Sequence, residues 1–251
     1  MYSLVADYHT HTRYSHGRGS ILDNVEAARN KGLKIIAITD HGFNHIGFGI
    51  SISSLKKMKK EIESLNRCFS DIKVLLGIEA NLIGLDGKID IPVPYLDAFD
   101  IILMGFHRFV KPAGWQDFKN LFLKNGLDKL GLVNKSRTRQ INTLAVVKAI
   151  ERYPIRILAH PGANIDFDSR IIAQAAAENN VALEINASHG FMTDEYVRIA
   201  LDEGADFVVN SDAHTPKRIG DFKKGMDIAI AAGVPSHRII NTEEYIHRTG
   251  A

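Results

Sequence analysis

One cysteine, Cys68, and one tryptophan, Trp115, are all that occur of those residues in 251 positions. A lone thiol excludes an internal disulfide and any cysteine-built zinc site, and it fits a reducing cytosol. An excess of one charge is also missing: 31 lysines and arginines face 29 aspartates and glutamates, a formal net charge of +2. That balance gives no electrostatic ground for holding a nucleic-acid duplex and leaves small molecules as the expected partners. No apolar run approaches the roughly 18 residues of a membrane span. No basic patch followed by an apolar stretch marks a leader at the N-terminus, so the expected location is cytoplasmic. Low-complexity tracts, internal repeats and Pro/Gly-rich linkers are absent as well. With 45% hydrophobic content, the chain can bury a full-size core, and a single domain over residues 1–251 is expected.

What is present is alternation. Short β-branched runs at Ser3–Tyr8, Lys34–Thr39, Lys73–Glu79, Phe99–Gly105, Ile155–Ala159, Ala182–Asn186 and Asp206–Asn210 read as strands, with Arg238–Asn241 as a short eighth. Between them, Leu22–Lys31, Ser53–Asn66, Asn142–Arg152, Ser169–Asn179, Asp194–Glu203 and Lys223–Ala232 carry helical spacing. Repeated βα units of this kind wind a parallel sheet. Two stretches interrupt the rhythm. Asn81–Pro94 predicts a small hairpin around Leu85-Asp86-Gly87, and Phe106–Ser136 is long enough to form a lid or substrate wall.

The chemistry sits where strands end. Asp7-Tyr8-His9-Thr10-His11 places two imidazoles at alternate positions, and residues two apart in a strand face the same way. Alone this pair is weak evidence, since paired surface histidines are common. Thr39-Asp40-His41 follows the second strand, Glu79 closes the third, and His107 follows the fourth. Ala159-His160-Pro161 follows the fifth, and Ser211-Asp212-Ala213-His214 follows the seventh. In a closed parallel barrel these ends converge on one face. Asp40 is expected either to orient the imidazole of His41 or to cap locally. His189 is expected in the same mouth, while His45, His237 and His247 read as structural or exposed.

These motifs, together with Ser15-His16, resemble those of the PHP (polymerase and histidinol phosphatase) family over nearly the whole chain, most closely the standalone bacterial phosphatases. The resemblance implies a distorted (β/α)7 TIM-like barrel with a three-metal centre at the C-terminal ends of the strands. It implies that His9, His11, Glu79 and Asp212 hold one ion, that Glu79, His107 and His160 hold a second with Glu79 bridging, and that His16, His41 and His214 hold a third. Nitrogen-rich ligands favour zinc, manganese or iron over magnesium without choosing among the three, and zinc is the expected ion. The implied activity is hydrolysis of small phosphomonoesters by a metal-bridged hydroxide, with Glu79 and Asp212 as the anionic members of the centre. Arg13, Arg18 and Arg108 flank ligand motifs and are the candidates to meet phosphoryl oxygens.

Three other readings compete. A PHP phosphodiesterase or exonuclease would want a basic tract, which is missing. An amidohydrolase also begins with His-X-His on a barrel strand but often bridges its metals with a lysine at strand four, where this chain has Met104-Gly105-Phe106-His107. A non-catalytic metal-binding barrel should have lost ligands, and every ligand position is filled.

Overall fold

A computed structural model describes residues 2–128 and 131–249. Seven parallel strands pair in sequence order: β1 (Ala6–Asp7), β2 (Ile35–Ile38), β3 (Lys73–Asn81), β4 (Ile101–Gly105), β5 (Ile157–Leu158), β6 (Ala182–Asn186) and β7 (Asp206–Asn210). Fully buried Ile36, Ile78, Leu103, Ile157 and Phe207 fill the core, which is why these segments read as continuous apolar runs rather than alternating ones. The helices are α1 (Ile21–Asn30), α2 (Ile52–Cys68), α3 (Trp115–Asp117), α4 (Lys124–Asp128), α5 (Lys135–Arg152), α6 (Ser169–Glu178), α7 (Asp194–Asp202), α8 (Lys223–Ala232) and α9 (Glu243–Thr249). No helix among the described residues is long and apolar enough to cross a membrane.

The barrel closes between its first and last strands through extensions. Thr10 bridges Ala213 in parallel, and Asn241 fills the seam by donating from Nδ2 to Ala6 O and Val209 O at 2.8 and 2.7 Å. The eighth strand expected at Arg238–Asn241 does not form. Ser236–Arg238 is a 3-10 turn and only Ile239 bridges Phe207, because the segment plugs the seam instead of running along it.

Other boundaries move for local reasons. β3 continues two residues past Glu79, because β4 stays alongside to Gly105 and pairs with Asn81. α5 begins at Lys135 rather than Asn142: Asn134 caps it by accepting from Arg137 N, and its first turns are polar, so apolar spacing alone does not show them. α1 starts in a capping box between Ser20 and Asp23. The expected hairpin is reduced to one antiparallel bridge, Leu82 to Ile89.

The long insertion is helical from Trp115 to Asp128, with a π-helical middle at Phe118–Leu123; residues 129–130 of it lie outside the described part. It is fixed to the body by Phe122 against Phe106, with ring centres 5.1 Å apart, and by a reciprocal amide pair between Asn125 and Asn142. This wall stands beside the face where the strand ends converge.

Candidate metal centre

Past β1, the Thr10 hydroxyl donates to Ala37 O at 2.7 Å, so the alternation turns His9 and His11 together to the opposite side. His16 arrives from the loop that follows. That loop folds back on itself, with Ser15 N and Gly17 N both donating to Thr12 O. It is clamped by the buried carboxylate of Asp40, which accepts from Thr12 N at 2.7 Å, Thr12 Oγ1 at 2.6 Å and the Ser15 hydroxyl. A Cβ at Gly17 would lie 2.4 Å from His11 O, so only glycine permits the turn. Asp40 therefore neither orients His41 nor caps at the surface; it holds the His16 loop.

Glu79 is the hub. Its Oε1 lies 2.6 Å from His160 Nε2 and 3.3 Å from His107 Nε2, and its Oε2 lies 2.8 Å from His41 Nδ1 and 3.7 Å from His11 Nε2. Asp212 Oδ1 is 3.3 Å from His11 Nε2 and 3.6 Å from His9 Nε2. Among the described residues, ligand atoms within 4.8 Å of one another form four groups. They are His9, His11 and Asp212; His9, Glu79 and His160; His41, Glu79 and His107; and His11, His41 and His214. His16 stands beside the last of these, its ring 4.1 Å from His214 and parallel to His41 at 4.7 Å.

The residues fit ions. Among the described residues, nearly all the buried side-chain atoms left without a hydrogen-bond partner belong to this cluster: His9 Nε2, both nitrogens of His11, His16 Nδ1, His41 Nδ1, Glu79 Oε2 and His160 Nδ1. A cradle also exists, since a Cβ at Gly105 would lie 2.8 Å from His160 Cε1 and 3.0 Å from Glu79 Oε1. His160 (φ 31) and Asp212 (φ 51) sit in the left-handed region that side chains avoid, at a cost of about 1–3 kcal/mol each.

Protonation suits coordination as well. Burial lowers His11 and His16 to about 4 and puts His41 well below the usual imidazole range, leaving lone pairs free at neutral pH. Burial would also neutralise Glu79 and Asp212, but the surrounding imidazoles outweigh it and hold both carboxyls well below the usual range. Burial pulls His9 down too, yet Glu184, Asp212 and Glu79 hold it well above its ordinary value. A metal ion there competes with a proton.

A sequence profile of the PHP domain matches residues 7–188. The chain belongs to the PHP domain family. Two PHP relatives are a probable phosphatase of Shewanella piezotolerans, 32% identical over 95% of this chain and 89% of its own length, and a probable phosphatase of Escherichia coli, 29% identical over 94% and 89%. The fold is shared with two solved structures. One is the putative histidinol phosphatase of Listeria monocytogenes, with TM-score 0.64, 17% identity, and coverage of 86% of this chain and 97% of that one. The other is the histidinol phosphate phosphatase of Lactococcus lactis, solved with zinc, L-histidinol and phosphate, with TM-score 0.59, 16% identity, and coverage of 91% and 93%.

Around this PHP cluster stand residues that strand-end motifs do not reveal. Glu184, fully buried in β6, accepts from His9 Nδ1 at 2.7 Å, His160 N at 2.7 Å, Asn186 Nδ2 at 2.9 Å and Asn210 Nδ2 at 2.9 Å. It stays ionised, with burial opposed by His9 and His160, so Nδ1 of His9 carries the hydrogen and Nε2 faces the cluster. The one available signal was a carboxylate inside an otherwise apolar strand. Asn81, itself fixed by Asp90, does the same for His107, whose Nδ1 lies 2.6 Å from Asn81 Oδ1. His45 is no bystander, as its ring stacks on His41 at 4.5 Å. His189 reaches the mouth as expected, with Nε2 3.3 Å from Asp212 Oδ2.

Glu184→Gln should weaken metal binding by about tenfold to a hundredfold while the barrel still folds. Four donors point at Glu184, and a glutamine offers one acceptor oxygen and turns an NH2 against the rest. Metal titration beside circular dichroism measures this, and wild-type affinity would remove Glu184 from the centre.

The three flagged arginines lie at the rim and are exposed. Arg13 pairs with Asp23 at 3.5 Å, Arg18 gives its backbone N–H to His214 O, and Arg108 lines a cavity beside Phe118 and Phe122. Among the described residues, no ion pair joins any of them to the cluster. Arg218, which the sequence did not single out, reaches Ser188 Oγ at 3.3 Å, next to His189.

Proposed function

We propose that residues 1–251 work as one cytoplasmic PHP hydrolase domain that cleaves small phosphomonoesters at a centre of three divalent transition-metal ions. Metal-dependent phosphoester hydrolysis is the activity that family membership, relatives named as phosphatases and this site all support. The carrying observation is the set of buried, unpartnered imidazole and carboxylate atoms around Glu79 and Gly105. His9, His11, Glu79 and Asp212 hold one ion, Glu79, His107 and His160 the second, and His16, His41 and His214 the third. Zinc suits this ligand set and is named with the Lactococcus lactis relative; manganese and iron suit it also. Bound there, the ions supply a water of lowered pKa and positive charge opposite the phosphoryl oxygens.

The protein's own part is placement. Glu184 and Asn81 fix the His9 and His107 tautomers, Asp40 fixes the His16 loop, and Glu79 and Asp212 keep their charge in a dry interior. Arg18 and Arg108 wait at the rim for phosphoryl oxygens, and Arg13 can join them because its exposed pair with Asp23 is weak. With a net charge of +2, the chain offers little to a long polyanion.

The test is a hydrolysis panel of small phosphomonoesters, phosphodiesters, oligonucleotides and amides, on metal-loaded protein with a chelated control. Monoesters are expected to turn over fastest, and only with metal. Faster cleavage of oligonucleotides would make the chain a phosphodiesterase, and cleavage of amides alone would move it to another reaction class.

A further inference from the structure

Between the connections after β5 and β6 lies a cleft of about 340 Å³, within the size range of small-molecule sites. Asn125 of the insertion closes one side. The cleft adjoins the metal centre. Pro161 follows His160, and Gly162, at φ +89, stands beside Phe191: a Cβ built on it would lie 3.7 Å from Phe191 Cβ. The Phe191 ring is 5.8 Å from that of His189, which is itself 5.9 Å from His160 and in contact with Asp212. A molecule held by its phosphate at the centre can therefore lay its remainder in this cleft.

The lining states what that remainder is. Phe167 and Met192 form a buried apolar floor, whereas the aromatic side chains of Phe191 and Tyr196 line the cleft and keep 44% and 43% of their surface open. Asn164 and Ser169 add neutral hydrogen-bonding groups. The one charged residue in the lining is Asp166, and Arg139 is 3.9 Å from it without entering the lining itself. Among the described residues of the lining, a second phosphate or carboxylate would meet this carboxylate and no cation. A flat, neutral ring with N–H groups would meet aromatic side chains and acceptors.

Resting on the phosphatase reading above, we infer that this cleft is the leaving-group subsite and selects phosphomonoesters whose leaving group is an uncharged, nucleoside-sized ring system. Phe191 and Tyr196 are its specificity-determining residues.

Two measurements on the metal-loaded full chain test this. The first is the ratio of kcat/KM for adenosine monophosphate over glycerol phosphate, in wild type, Phe191→Ala, Tyr196→Ala and the remote surface variant Ile230→Ala. The second is calorimetric binding of free adenosine to the same four proteins, which needs no turnover. The ratio is expected to favour the nucleotide and to drop about tenfold in each cleft variant but not in Ile230→Ala, with adenosine binding weakened in step. A ratio near one in wild type, or adenosine binding that is absent or indifferent to both cleft substitutions, overturns the inference. If no phosphomonoester is hydrolysed, the phosphatase reading fails, and adenosine binding still decides whether the cleft holds rings.

Discussion

Glu79→Gln is expected to cut phosphatase turnover by about a thousandfold or more, the rate equivalent of roughly 4 kcal/mol, and to leave the barrel folded. The side chains are nearly isosteric, and β3 is held by its ladder to β2 and β4 rather than by this carboxylate. What changes is charge. Five imidazoles, those of His9, His11, His41, His107 and His160, have a nitrogen within 3.7 Å of a Glu79 oxygen. On the proposed assignment two cations share this anion, and a neutral amide would offer them one weak acceptor and leave their repulsion uncompensated. Circular dichroism, metal content and kinetics on one sample check all parts. Near-wild-type turnover at saturating metal would show that Glu79 bridges nothing.

The hub was legible because chemistry and periodicity coincide in the sequence: a carboxylate or histidine recurs just where apolar runs stop. β6, β7 and α8 have the expected boundaries for a similar reason, since turn residues or polar caps bracket each apolar run closely. Glu184 shows the limit. Its partner His9 is 175 residues away, and a carboxylate inside an apolar strand signals burial without saying which imidazole it fixes. Asp40 could be given either of two tasks from sequence, orienting His41 or capping, and tertiary folding gave it a third, holding the His16 loop.

His45 reads as a loop histidine because its stacking on His41 depends on the connection after β4. Val110 pairs with His45, and Phe109 O accepts from Ile46 N at 2.8 Å. Two loops some 60 residues apart thus make one rim, which no local pattern encodes. The arginines were placed by adjacency to motifs, which fixes where the backbone runs and not which partner the side chain takes. Arg13 leans onto Asp23 of the α1 capping box.

His16→Ala should lower the metal content from about three ions per chain to two and cut phosphomonoester turnover by about a hundredfold to a thousandfold. The geometry makes this the more exacting test. The tight donor group near the third position contains His11 with His41 and His214, and His16 stands against it with one buried nitrogen unpartnered. If His16 completes the third set, its removal takes away one neutral nitrogen and loosens that ion alone. The sites built on Glu79 keep their ligands. The phosphate then loses one positive partner, and the effect should fall on kcat more than on folding, because the loop remains clamped by Asp40 and by the close approach of Gly17 to His11. His45 cannot serve as the comparison, since it packs on His41. His247, exposed on α9 and 3.7 Å from Glu243, can. Elemental analysis and kinetics of His16→Ala beside His247→Ala decide the matter: should both keep the full metal complement and wild-type turnover, His11 would have to supply the third nitrogen, and His16 would be only a wall of the mouth beneath Phe48.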